Sequence, residues 1–150
     1  MAYWEWQSSY ELGISAIDNQ HKKLVYYINE LCSALATKNR KQVASVLEGI
    51  IEHTTSHFAF EEQLMSEAGY EMIESHKKTH AAFAAVIDRY KASFDEGYDV
   101  AGQLMAEIQI WLTYHITNDD SDYKECVKKM LSCKVAQNIN GKSWFKTLFR

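Results

Sequence analysis

Apolar residues recur at intervals of three and four along four separate stretches of this chain, and nowhere do they alternate convincingly with period two. A chain patterned in this way buries its apolar surface by packing helix against helix. Its 150 residues include no proline and only six glycines, too few obligatory turns for a sheet-rich fold with many tight corners. The first helix is expected from near Asp18, a good N-cap, to about Lys38 and Asn39, with Leu24, Val25, Ile28, Leu31 and Leu35 inward. The second is expected from about Lys41 to Glu67, with Val43, Leu47, Ile50, Leu64 and Met65 inward and Gly69 as its stop. The third turns Ile73, Phe83, Ile87, Tyr90 and Phe94 inward and stops near Gly97. The fourth begins after Asp99 and shows Leu104, Ile108, Trp111, Cys126 and Met130. Short connections make neighbours antiparallel, so the expected fold is an all-α, up-down-up-down four-helix bundle.

A chain of this length supports one core and one domain. Two segments fall outside the periodic pattern. Tyr3-Trp4-Glu5-Trp6 leads an irregular aromatic arm, residues 1–16, expected to cover one side or end of the bundle, which with this arm spans 1–133. Residues 134–150 form a basic tail, in which Trp144, Phe145, Leu148 and Phe149 interleave with Lys142, Lys146 and Arg150. That is the spacing of a short amphipathic helix for a membrane surface or a protein partner.

Charge and cysteine usage narrow the class of partner. The net charge of −4 hides a tail with four basic and no acidic residues, leaving 12 basic against 20 acidic residues before it. Nucleic acid is not an expected partner of so acidic a body. The longest apolar run, Ala81 to Ile87, falls far short of the roughly 20 residues of a membrane span, and the N-terminus lacks the pattern of a signal peptide. Cys32, Cys126 and Cys133 are odd in number and contain no CxxC, which points to a reducing cytoplasm.

The inward stripes are interrupted by residues foreign to an apolar core. His21 shares a face with Leu24 and Ile28; the stripe Val43, Leu47, Ile50, Thr54, His57, Glu61, Leu64 places a histidine and a carboxylate one turn apart. His76 and His80 interrupt Ile73, Phe83 and Ile87, and Leu104, Ile108 and Trp111 lead to His115. A single inward histidine is most simply a hydrogen-bonded core residue, but five, drawn from all four helices, form a set. Buried Glu61 costs several kcal/mol unless it is paired or binds a metal, and the inward stripes carry no lysine or arginine.

A metal centre accounts for the whole set, and imidazole with carboxylate suits iron better than calcium or magnesium. Five histidines and two carboxylates exceed the four donors of a zinc site and would leave a single six-coordinate ion no open position. Two metals fit if Glu61 and an aspartate each bridge both. The aspartate is ambiguous: Asp119 lies four residues after His115 on the same face of a regular helix, whereas Asp120 comes inward only if the helix widens locally into a π turn. His53, one turn before His57, reads as a partly exposed or supporting residue.

This combination resembles the hemerythrins, most closely the single-domain bacterial members. The matching residues are Ile17-Asp18-Asn19-Gln20-His21, His57-Phe58 with Glu61-Glu62, His76 with His80, Trp111-Leu112 with His115-Ile116, then Asp120 and Tyr123, spread over about residues 3 to 131. The resemblance implies two iron ions with an oxo or hydroxo bridge. His76, His80 and His115 would hold one iron, His21 and His57 the other, and Glu61 and Asp120 would bridge, so the resemblance selects Asp120 over Asp119. It further implies reversible binding of dioxygen at the five-coordinate iron, inside an apolar pocket mapped onto Leu24, Phe58, Trp111, Leu112 and Ile116. Their ordinary role is core packing; here they would also exclude water.

The function expected is therefore that of an oxygen carrier, store or sensor and not of an enzyme, since oxygen-activating di-iron bundles favour carboxylate over histidine. The rival is a di-iron enzyme, such as a peroxidase or nitric oxide reductase, using the same open position; the pocket has no obvious general acid or base, and Tyr114 and Glu62 are the candidates left open. A zinc hydrolase fits poorly, because His76-Lys77-Lys78-Thr79-His80 has lysine where HExxH places glutamate.

Overall fold

The computed structural model describes residues 2–137. Within them the chain forms a short 3-10 turn, Ser8–Tyr10, and helices α1 (Ser15–Thr37), α2 (Arg40–Ala68), α3 (Ile73–Asp95) and α4 (Ala101–Tyr114). A π turn, His115–Asp120, leads directly into α5 (Ser121–Gln137), so α4, the π turn and α5 make one long fourth rod. Helix α1 packs on α2 and α4, and α3 packs on the same two, closing an antiparallel four-helix bundle. Among the described residues no helix is long and apolar enough to cross a membrane.

Local chemistry sets the helix ends. Asn39 caps α2, its side-chain oxygen accepting from the backbone N–H of Lys41 and Gln42, and Gly69 ends that helix at φ 68°, a conformation glycine adopts without strain. Asp18 does not start α1 as expected. The helix begins three residues earlier, at Ser15, and the Asp18 carboxylate reaches back to accept from the N–H groups of Leu12 and Gly13, at 2.8 and 3.1 Å. It thereby ties the N-terminal arm to the bundle. The arm is well packed: Trp4 and Tyr10 are buried, and Trp4 N–H donates to Asn29 Oδ1 at 2.8 Å.

The π turn changes which residues face inward beyond it. Regular spacing continued past His115 selects Cys126 and Met130, but the buried residues of α5 are Tyr123 and Val127. One extra residue in the widened turn advances the inward face by one position. Leu35, Ile73, Tyr90 and Trp111, all expected inward, are half-buried, because they sit at the edges of their stripes. The tail expected from residue 134 begins inside α5, which runs on to Gln137, and its aromatic portion lies outside the described residues.

Two apolar clusters fill the bundle. The larger contains Leu24, Ile28, Leu47, Phe58, Phe83, Ile87, Leu112 and Ile116; the smaller contains Ile17, Leu64, Met65, Tyr123 and Val127. On each rod the chain passes from one cluster to the other, and the residues at the crossing are His21, His57 and Glu61, His76 and His80, and His115 and Asp120. A polar layer thus lies across the bundle between two apolar ones.

Candidate metal centre

All seven expected donors meet in that layer. His21, Glu61, His115 and Asp120 have no exposed surface, and His57, His76 and His80 are 1, 5 and 2% exposed. Their donor atoms form two overlapping groups, each with atoms within 4.8 Å of one another: Glu61, His76, His80, His115 and Asp120, and His21, His57, Glu61 and Asp120. Glu61 and Asp120 belong to both.

Each carboxylate presents one oxygen to each group. Asp120 Oδ1 stands 3.0 Å from His115 Nε2 and 3.2 Å from His76 Nε2, while Oδ2 stands 3.2 Å from His21 Nε2. Glu61 Oε1 faces His57 and His21, the latter at 3.5 Å, and Oε2 faces His76 at 3.5 Å and His80 at 3.7 Å. The π turn makes this possible. It turns Asp120 inward and leaves Asp119 outside, where its Oδ2 accepts from His115 Nδ1 at 2.9 Å.

Partners on the outer side of the rings orient them. His80 Nδ1 donates to Glu62 Oε2 at 3.0 Å and His57 Nδ1 to Gln20 Oε1 at 2.6 Å. Gln20, Glu62 and Asp119 therefore act on the centre through the histidines. Periodicity gives Gln20 and Glu62 no role; the available signal is that each stands directly beside a donor, as Asp119 does, on the neighbouring face. His53 joins neither group: it is half-buried, with Nε2 3.0 Å from the carbonyl oxygen of Gln20. Tyr114 points into solvent, 63% exposed, and Glu62 is engaged by His80.

The donor chemistry fits bound cations. His80 and His115 each direct Nδ1 at a carboxylate oxygen, so the neutral form of each ring turns the lone pair of Nε2 inward, as metal binding requires, and the two Nε2 atoms are 3.0 Å apart. Nε2 of His21, His57 and His76 and all four oxygens of Glu61 and Asp120 are buried without a hydrogen-bond partner. Atoms of this kind, left unsatisfied, are costly, and metal ions satisfy them together.

Electrostatics within the bare protein report the same concentration of charge. Burial depresses the imidazoles of His21 and His76, but Asp120 and Glu61 outweigh it and the pKa of each rises to about 9. At His80 burial prevails, helped by the neighbouring His115 and His76 rings, and the pKa falls to about 3. Burial and Glu61 oppose ionisation of Asp120, yet His115, His21 and His76 hold its pKa at about 2. Glu61 is likewise held well below the usual range against burial, with His57 its strongest counter-charge.

Aromatic rings wall the layer on the side of the larger cluster. Phe58 stacks flat on His80, with centroids 3.9 Å apart, and meets Trp111 edge-on at 5.7 Å. Trp111 lies between Phe83, 3.9 Å away, and His115, 4.3 Å away. Leu24, Leu112 and Ile116 are buried in the same cluster as Phe58.

Fold and site together define a four-helix bundle with a buried histidine–carboxylate cluster fit to hold metal. The family model described as hemerythrin HHE cation binding domain matches residues 12–127. The chain belongs to the hemerythrin family. It is 40% identical over 141 residues to a bacteriohemerythrin of Pseudomonas aeruginosa (strain LESB58), covering 94% of this chain and 92% of that protein. A bacteriohemerythrin of Stenotrophomonas maltophilia (strain R551-3) is 35% identical over 150 residues, covering 100% of this chain and 98% of its own. A crystal structure of wild-type hemerythrin superimposes with a TM-score of 0.80 at 27% identity, covering 84% of this chain and 98% of that one.

Proposed function

We propose that this chain holds two iron ions and binds dioxygen reversibly, as a carrier, store or sensor. The observation that carries this reading is the unequal division of donors. Three histidines, His76, His80 and His115, serve one group; two, His21 and His57, serve the other; and Glu61 and Asp120 are shared. With equal use of the bridging carboxylates, the second metal receives one protein donor fewer, which provides a place for a small ligand. Iron supplies the redox chemistry that makes dioxygen binding reversible.

The protein's own groups keep that chemistry contained. Gln20, Glu62 and Asp119 orient the rings of His57, His80 and His115 and fix which nitrogen faces inward. Leu24, Phe58, Trp111, Leu112 and Ile116 form the apolar wall, excluding the water that would otherwise help to protonate and release reduced oxygen. Binding without turnover is favoured over a peroxidase or nitric oxide reductase because histidines outnumber carboxylates five to two in the donor set. Tyr114 faces solvent and Glu62 is held by His80.

Metal content and the visible spectrum of the anaerobically reduced protein, cycled between argon and air, test the reading. About two irons per chain, with a band that appears in air and fades under argon, is the expected result. Iron with irreversible colour favours the enzyme, and absence of iron refutes the centre.

A further inference from the structure

A centre this deeply buried needs a way in, and two clefts among the described residues touch its donors. One, about 100 Å³ in volume, lies against His76 and is polar, lined by Tyr70, Ser75, Thr79, Asp119 and Asp122. The other, about 300 Å³, runs between α2 and α3 to Phe58 and His80. Its apolar walls are Ile51, Ala81, Ala84 and Ile87, and Thr54, Thr55, Glu62, Lys77 and Asp88 complete the lining. The alanines leave the two helices a groove that larger side chains would fill.

We propose that the cleft between α2 and α3 is a binding antechamber for small, uncharged, apolar molecules and the route by which dioxygen reaches the metal centre, with the Phe58 ring as its inner door. The second half rests on the oxygen-binding reading above; the first does not. Dioxygen is apolar and uncharged, so it partitions into the cleft whose lining is mainly apolar in preference to the one whose lining is mainly polar. Phe58 is common to both sides of the wall. The same ring lines the cleft, stacks on His80 at 3.9 Å and meets Trp111 at 5.7 Å. A guest in the cleft therefore rests against a ring that also bounds the pocket, and a swing of that ring joins the two spaces. The polar cleft at His76 is the approach suited to water and ions.

Crystals of the metal-loaded protein pressurised with xenon, together with stopped-flow dioxygen exchange, test the proposal. Xenon is expected against Ile87 and Phe58. Ala84 is half-buried, so Ala84→Phe should fold, fill the cleft and exclude xenon. Because a passage is crossed in both directions, this variant should slow association and release by the same factor, about tenfold, and leave the affinity unchanged. Ser75→Phe, at the exposed rim of the polar cleft, should alter neither rate. Absence of xenon from the cleft overturns the antechamber. Unchanged rates in Ala84→Phe, or slowed rates in Ser75→Phe, overturn the route. A chain that takes up xenon there but binds no dioxygen refutes the oxygen reading and the route with it, and leaves the antechamber standing.

Discussion

Exchanging the acids of Asp119 and Asp120 one at a time for their amides tests the π turn and the metal centre together. The two residues are adjacent, alike in chemistry and opposite in placement. The Asp119 side chain is 34% exposed and meets the centre only through His115 Nδ1, at 2.9 Å. Loss of such an orienting partner lowers metal affinity about 10- to 100-fold, or roughly 1.4–2.8 kcal/mol. Asp120 has no exposed surface and stands within 3.0–3.2 Å of His115, His76 and His21, in both donor groups. Asp120→Asn removes an anion shared by both donor groups at once. Breaking a buried charge pair costs about 3–5 kcal/mol, which corresponds to roughly 10²- to 10⁴-fold in affinity. Iron per chain after gel filtration, and competition against a graded series of chelators, should show Asp119→Asn retaining two irons with weakened binding and Asp120→Asn losing iron. Circular dichroism checks that both variants stay helical. A regular helix reverses the order, so iron lost from Asp119→Asn and kept by Asp120→Asn would refute the reasoning.

Three further outcomes follow from the same geometry. Leu112, 2% exposed, contributes about 2–5 kcal/mol to stability by comparison with other buried leucines, and Leu112→Ala should speed autoxidation several-fold while the protein remains folded; an unchanged decay of the oxygenated spectrum removes Leu112 from the wall. The metal-free protein should be most stable near pH 6.5, the ordinary histidine value. His21 and His76, raised to about 9, contribute stability that is lost as pH climbs from 6.5 through 9, and His80, lowered to about 3, contributes stability lost as pH falls below 6.5. Denaturant midpoints that rise steadily to pH 9 contradict this. Removing residues 138–150, beyond the end of α5, should leave iron content and oxygen binding unchanged, and a loss of either joins the tail to the centre.

Much of the bundle was legible because helix packing leaves a periodic trace in the sequence. Asn39 and Gly69 end their helices through local backbone chemistry, and the inward stripes of α1 and α2 follow from spacing of three and four. The inward histidines and Glu61 stood out for the same reason, being polar residues on apolar faces. Asp18 misled because its side chain serves the arm, a longer-range partner that capping rules do not anticipate.

Past His115 periodicity failed. Cys126 and Met130 lie on the face a regular helix would bury, but the π turn brings in Asp120, Tyr123 and Val127. The local backbone gives no sign of this turn in amino-acid composition. Sequence by itself determined that this chain forms a bundle of amphipathic helices with a polar layer across its core, since both features depend on which residues share a helical face. Only the tertiary structure decided that Asp120 turns inward while Asp119 orients His115, that five histidines divide three and two about shared carboxylates, and that a groove opens between α2 and α3. Each of these depends on distances between separate helices, which spacing along a single helix does not contain.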